Sequence, residues 1–185
     1  QRQMCIRDRF WEEMAEHPDY DEWWRARDTR RACYNIRPAM LVVGGTFDAE
    51  DCYGAWNLYK AVLRQSARTP LHLVVGPWAH GAWRGDGRTL GDFDFGEEAS
   101  GAYYMEHFEA PFFDCYLWAR DTVDRLPPVA AFSSGDNRWH TFGRWTPSEA
   151  RKLTLYLADG GRITTEKPTV KNSSTSYTSD PADPC

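Results

Sequence analysis

Two short apolar runs, each closed by glycine, limit what this chain can fold into. Ala39-Met40-Leu41-Val42-Val43 ends at Gly44-Gly45, and Leu71-His72-Leu73-Val74-Val75 ends at Gly76-Pro77. Such short continuous apolar runs, bounded by turn residues, read as strands buried on both faces. Between them Ala55, Leu58, Tyr59, Val62 and Leu63 recur at helical spacing over Asp51–Gln65, with Glu50 and Asp51 suited to the helix's positive end. Buried strand, helix, buried strand is the grammar of a parallel α/β sheet. A Gly- and Asp-rich loop over 81–100 leads to a further helix over about 101–121. There Tyr104, Phe108, Phe112, Tyr116 and Ala119 recur near every fourth residue, with a kink expected at Pro111.

The flanks are less regular. Phe10, Trp11 and Met14 fit one face of a helix that Pro18 ends, and Asp21 is placed to cap a second helix over Glu22–Arg31. At Leu126-Pro127-Pro128 the pattern changes. Val129–Ser133 and Trp139–Phe142 look like strands around the turn Ser134-Gly135-Asp136-Asn137, and Leu153–Leu157 alternates towards the hairpin signal Asp159-Gly160-Gly161. These signs put a boundary near residue 126, between an α/β part and the start of an all-β part. The segment Gln3–Arg9 resembles a translated sequencing-adapter tail, so residues 1–9 are set apart as a non-native or disordered tail. The last residues, Asp180–Cys185, are turn-like and close no element. Both ends suggest a fragment.

Composition narrows the classes. A chain of 185 residues suits one domain, or one and part of another. The net charge of −5, without a basic stripe, gives nucleic acid no electrostatic footprint. No apolar run approaches the ~20 residues a helical membrane span requires. Neither nucleic acid nor membrane is therefore expected as a partner. The five cysteines, Cys5, Cys33, Cys52, Cys115 and Cys185, are odd in number and widely spaced, which predicts free thiols.

The residues that can carry chemistry sit just past the two strand ends. Asp48 follows the first and His80 the second, where ligands bind in open α/β sheets. An Asp so placed can accept from His Nδ1–H, fix the tautomer and stabilise the imidazolium, as in a Ser-His-Asp triad. The bland alternatives are that Asp48 caps the following helix and that His80 is structural. Asp51 is a rival acid, or a dipole partner in the first helical turn. Trp78 and Trp83 flank His80 and suit either an acyl pocket or the core. Glu106-His107-x-Glu109 and Asp92-x-Asp94 lack metal-site spacing and read as solvated. No metal and no cofactor are expected.

Gly44-Gly45-Thr46-Phe47-Asp48-Ala49-Glu50-Asp51, followed by Gly76-Pro77-Trp78-Ala79-His80-Gly81, resembles the CocE/NonD serine hydrolases. That group holds α-amino acid ester hydrolases, cocaine esterase and X-prolyl dipeptidyl-peptidases. His17-Pro18-x-Tyr20-Asp21-x-Trp23, Arg84-Gly85-Asp86-Gly87, Pro111-Phe112-Phe113-Asp114 and Tyr177–Pro184 are similar to the family in the same order. The likeness leans to the α-amino acid ester hydrolase branch. It implies Asp48 as triad acid and His80 as triad base. It also offers Asp21 and Glu22 as substrate-binding residues, for a substrate α-ammonium; the alternative for these carboxylates is a solvated helix start. Trp83, through its place beside His80, is the third substrate-binding candidate.

The resemblance implies a fold as well: α/β, the C-terminal half of an α/β-hydrolase sheet with the end of its cap over 10–125, then a truncated β-jelly-roll over 126–185. Too few strands are present to close a jelly roll, so an unpaired edge is expected. Thr46 stands where relatives usually carry Trp. No Gly-x-Ser-x-Gly elbow occurs, and none of the nine serines looks like one. The implied activity is hydrolysis of esters or amides of small acyl or α-amino acyl groups, with the nucleophile upstream of residue 1 and the chain alone inactive. The alternatives are X-prolyl dipeptidyl-peptidase activity in a parent protein and a non-catalytic β-rich binding fragment. The expected partner is a small ester or short peptide. Self-association and localisation stay open.

Overall fold

The computed structural model describes residues 9–119, 126–169, 174 and 176–182. Two units divide the chain, residues 1–145 and residues 146–185. The first opens with α1 (Arg9–Glu16) and α2 (Glu22–Arg27), so Arg9, set apart with the tail, begins a helix. Asp21 caps α2 as its position predicts, but that helix stops at Arg27 because Asp28 starts a separate 3-10 turn.

The parallel core then follows. β1 (Met40–Gly45), α3 (Cys52–Gln65) and β2 (Leu71–Gly76) form a right-sized strand–helix–strand unit, and the two strands pair in parallel from Met40↔Leu71 to Gly45↔Gly76. The Gly- and Asp-rich loop after β2 holds a short ribbon, β3 (Thr89–Leu90) with β4 (Phe93–Asp94), that its composition does not predict. Next come α4 (Gly101–Tyr104), a π-helical turn over Met105–Glu109 and α5 (Ala110–Tyr116). The expected kink at Pro111 takes this form: proline has no N–H for the ladder, and the turn before it widens, with Ala110 N–H donating to the Met105 carbonyl.

The boundary near 126 does not divide the sheet. β5 (Val129–Ser133) pairs in parallel with β2, and β6 (Arg138–Phe142) pairs antiparallel with β5, giving the order β1-β2-β5-β6. The expectation of an all-β part from 126 is corrected by this pairing. Both strands that follow the prolines belong to the first unit, which runs to Trp145. The reason is burial: Val129 and Ala130 are fully enclosed, and only the centre of a two-sided sheet offers them that.

Each face of the sheet has its own cover. Val42, Leu73, Val75 and Val129 pack with Tyr59 of α3 on one side. Val74 and Ala130 pack with Trp78, Tyr104 and Phe108 on the other. Buried His72 ties β2 to its neighbours, Nδ1 facing the Pro127 carbonyl at 3.0 Å and Nε2 the Tyr116 hydroxyl at 3.1 Å. Cys33, Cys52 and Cys115 are free thiols, while Cys5 and Cys185 lie outside the described residues. No helix among the described residues is long and apolar enough to cross a membrane.

The second unit is a ribbon. β7 (Tyr156–Ala158) and β8 (Arg162–Thr164) pair antiparallel across Asp159–Gly161, as the turn residues predict. The strand is shorter than the alternating run Leu153–Leu157 suggests.

Candidate active site

Glycine determines how closely the ends of β1 and β2 run. A Cβ on Gly45 would lie 2.0 Å from the Trp78 carbonyl oxygen, and one on Gly76 would lie 2.4 Å from the Trp78 ring. Without those side chains the two segments stay hydrogen-bonded past the sheet. Thr46 N–H donates to the Gly76 carbonyl at 2.8 Å and Phe47 N–H to the Trp78 carbonyl at 3.1 Å. Asp48 and His80 are thereby delivered to one place.

There the two side chains meet. His80 Nδ1 lies 3.1 Å from Asp48 Oδ2 and 3.3 Å from Oδ1. The Asp48 side chain is buried, whereas the imidazole is half-exposed. Asp48 Oδ1 also accepts from the N–H groups of Glu50 and Asp51, each at 2.9 Å. Asp48 does not cap α3, whose N-cap place is Asp51; it accepts from the two amides of the turn before that helix, which fix its carboxylate facing the ring.

The electrostatics follow from these contacts. Burial pushes the Asp48 carboxyl up, but the N–H groups of Asp51 and Glu50, together with His80, outweigh it and hold the group below its ordinary value. His80 is raised, first by its hydrogen bond to Asp48, then by the charges of Glu50 and Asp48, against a loss from burial. An imidazole with Nδ1–H directed at a carboxylate keeps Nε2 as its free base. Nε2 has no hydrogen-bond partner among the described residues. Asp48, Asp51 and His80 also lie close enough to share a cation, with ligand atoms within 4.8 Å of one another. An Nδ1 that carries the proton for Asp48 cannot ligate a metal at the same time.

The other candidate residues take up local duties. Asp21 accepts from Trp23 N–H at 2.9 Å and Trp24 N–H at 3.4 Å, and its second oxygen faces His17 Nδ1. Glu22 pairs with Arg25 at 2.8 Å on an exposed helix face. Neither carboxylate bonds to Asp48 or His80. Trp78 is fully buried and donates from Nε1 to the Ala99 carbonyl at 2.7 Å, which makes it core. Trp83 is partly buried against Trp78, ring centroids 5.8 Å apart. His107 stacks on Tyr103 at 3.8 Å and contacts its carbonyl, and Asp94 pairs with Arg88 at 3.2 Å.

Asp51 is the residue whose position the sequence reading resolved least. It stands at the start of α3 yet makes no side-chain cap, and its Oδ2 lies 3.6 Å from His80 Nδ1. The signal for it was the spacing Asp48-x-Glu50-Asp51, which wraps three carboxylates around one turn.

Comparisons with known proteins point in one direction. The X-Pro dipeptidyl-peptidase (S15) family matches residues 2–82, which hold both Asp48 and His80. That match and the relatives below support the CocE/NonD serine hydrolases as the group this chain resembles. A serine esterase of Mycobacterium bovis, so named, is 30% identical over 145 residues, covering 77% of this chain and 21% of its own length. Cocaine esterase of Rhodococcus sp. is 24% identical over 186 residues, covering 94% of this chain and 31% of its own. Among solved structures, an aminopeptidase of a marine-sediment Thaumarchaeota archaeon superposes with a TM-score of 0.83 at 36% identity, over 95% of this chain and 29% of that one. An α-amino acid ester hydrolase superposes with a TM-score of 0.76 at 30% identity, over 96% of this chain and 30% of that one. Both are hydrolases of the α/β type. This chain therefore spans between a fifth and a third of the length of the proteins it matches.

Proposed function

We propose that Asp48 and His80 are the acid and base of a Ser-His-Asp triad that cleaves esters or amides of small acyl or α-amino acyl groups. The observation that carries this is the 3.1 Å contact between them at the ends of adjacent parallel strands, with the acid buried and the base half-exposed. In this reading Nε2 of His80 takes the proton of a serine hydroxyl as that oxygen attacks the acyl carbon. Asp48 stabilises the imidazolium, which then protonates the leaving group. Water, deprotonated by the same nitrogen, releases the acyl group.

The nucleophile in this proposal is none of the nine serines of the chain. Ser66 is engaged with Ile36 N–H and Thr69, and Ser100 caps α4; neither lies on an elbow beside His80. A longer protein that includes this chain supplies the serine and the oxyanion donors. From residue 146 onward the same reading places the opening of a β-jelly-roll, for which the β7–β8 ribbon is the support. A substrate with a free α-amino end is favoured, because the aminopeptidase and the α-amino acid ester hydrolase share that requirement by name. Peptide cleavage after an X-Pro pair is the second reading, supported by the family matched over residues 2–82.

The test is a p-nitrophenyl ester assay of the 185-residue chain, of the longer protein, and of the longer protein with Asp48→Asn. The chain alone should be inactive, and the longer protein active. Asp48→Asn should lower kcat by up to ~10⁴, through loss of the correct tautomer. Activity of the chain that a serine-directed phosphonate abolishes, or an unimpaired Asp48→Asn protein, refutes the assignment.

A further inference from the structure

We propose that Asp51 is a second carboxylate on His80, a positioning residue that shares Nδ1 with Asp48 and takes over as acceptor when Asp48 cannot serve. The proposal rests on the triad reading and extends it. Its ground is the geometry of one turn. Asp51 Oδ2 lies 3.6 Å from His80 Nδ1, beside Asp48 Oδ2 at 3.1 Å, so the two acids meet the same ring nitrogen.

Among the described residues Asp51 makes no side-chain hydrogen bond that competes with its approach to His80. It occupies the N-cap place of α3 but makes no capping bond; its own N–H donates to Asp48 Oδ1 at 2.9 Å, so the two acids are geometrically coupled through the backbone. The Asp48 side chain is locked by two N–H donors and cannot follow the ring if the imidazole turns. Asp51 is more than two-thirds exposed and can. A half-exposed imidazole held by one fixed acid has freedom to swing; a second, mobile acid at the same nitrogen restricts it to orientations that keep Nε2 as the base. Among the described residues the charged groups that act on His80 are Asp48, Glu50 and Asp51, all from the β1–α3 turn, and all favour the imidazolium.

The magnitudes separate the two acids. An exposed ion pair is weak, so removing the Asp51 charge should lower the His80 titration midpoint by about half a pH unit at low salt. That difference should shrink by half or more in 0.5 M NaCl, since the pair faces solvent. Removing the Asp48 charge should lower the midpoint further, because that acid is buried and hydrogen-bonded.

The experiment follows the imidazole nitrogens of His80 by long-range ¹H–¹⁵N NMR in the chain and its Asp51→Asn, Asp51→Glu and Asp51→Ser variants. His80→Gln supplies the assignment. The expected result is a lowered midpoint in Asp51→Asn and Asp51→Ser, recovery in Asp51→Glu, and a thermal midpoint of unfolding for Asp51→Ser close to the parent, since serine is a good helix cap. An unmoved His80 midpoint in Asp51→Asn at low salt overturns the proposal, as does a shift unaffected by salt. In the longer protein, Asp51→Asn should cost about 3-fold in kcat with KM little changed. In the Asp48→Asn background the same substitution should cost at least 10-fold, the mark of a replacement acceptor. Equal losses in the two backgrounds overturn the takeover. The NMR measurement needs no nucleophile. A shifted His80 without ester hydrolysis would sink the triad and leave this pairing standing, whereas hydrolysis that depends on Asp48 but ignores Asp51 would do the reverse.

Discussion

The two units of the chain are built from similar strands and differ in what those strands bury. In the first, Leu73 of β2 and Val129 of β5 expose nothing. In the second, Leu157 of β7 is 84% exposed and Ile163 of β8 is 64% exposed, and no described residue there is buried. Apolar content alone does not explain this. A parallel pair is enclosed by its crossover helix, so each of its residues has two neighbours to pack on. A two-stranded ribbon has no such cover and is marginal by itself. Where a strand sits in a layered sheet, more than what it is made of, decides whether it can hold a buried carboxylate against an imidazole.

The contrast can be broken most directly at Gly45. Gly45→Ala drives a Cβ into the Trp78 carbonyl and should cost about 3 kcal/mol or more, seen as a loss of stability in urea unfolding. Gly160→Ala in the second unit meets open space, and only its positive φ of 66° opposes it, a cost of about 1 kcal/mol. Equal effects would mean that the ends of β1 and β2 are loose enough in solution to accept the extra carbon. The next largest effect is expected from leucine truncation. Leu73→Ala should lose about 3 kcal/mol, while Leu157→Ala should stay within about 0.5 kcal/mol. A large loss at Leu157 would show that the ribbon is covered in solution.

The smallest effect is a pH dependence confined to the first unit. The folded-state pKa of His80 is raised, so its contribution to stability is full below about pH 6.5 and fades as the pH climbs through the folded value. That of Asp48 is lowered, so its contribution is full above about pH 4 and fades as the pH falls through the folded value. The pair therefore stabilises most between about pH 4 and 6.5. The stability difference between the parent chain and Asp48→Asn should peak in that window. A flat difference from pH 3 to 9 would mean that the contact is not kept in solution.

Local features of the sequence carried the parallel core and the site, and non-local ones were hidden. The apolar runs, their closing glycines and the placement of Asp48 and His80 needed only neighbouring residues to be read. The pairing of β5 with β2 did not show, because the partner lies across a crossover of some fifty residues and Pro127-Pro128 locally mimics a domain linker. The length of β7 failed for the opposite reason: Leu153–Leu157 alternates well, but a strand needs a partner, and only Tyr156–Ala158 finds one. Asp51 was legible as an acid at a helix start; its approach to His80 depended on the glycine contacts that bring the two turns together.

Those contacts surround one side chain. Trp78 is fitted between Gly45, Gly76 and Gly87, each of whose Cβ positions it already fills to 3.2 Å or closer, and its indole N–H is spent on the Ala99 carbonyl. Positions 76 and 78 can therefore drift only as a pair. A smaller residue at 78 opens space beside Gly76, whose Cβ position meets the indole, whereas Gly45 faces the Trp78 main-chain carbonyl that any residue there keeps, and Gly87 meets the Ala82 carbonyl at 2.9 Å with a φ of 66°. Variation among relatives should therefore be correlated at 76 and 78, while glycine stays at 45 and 87 whatever residue 78 becomes.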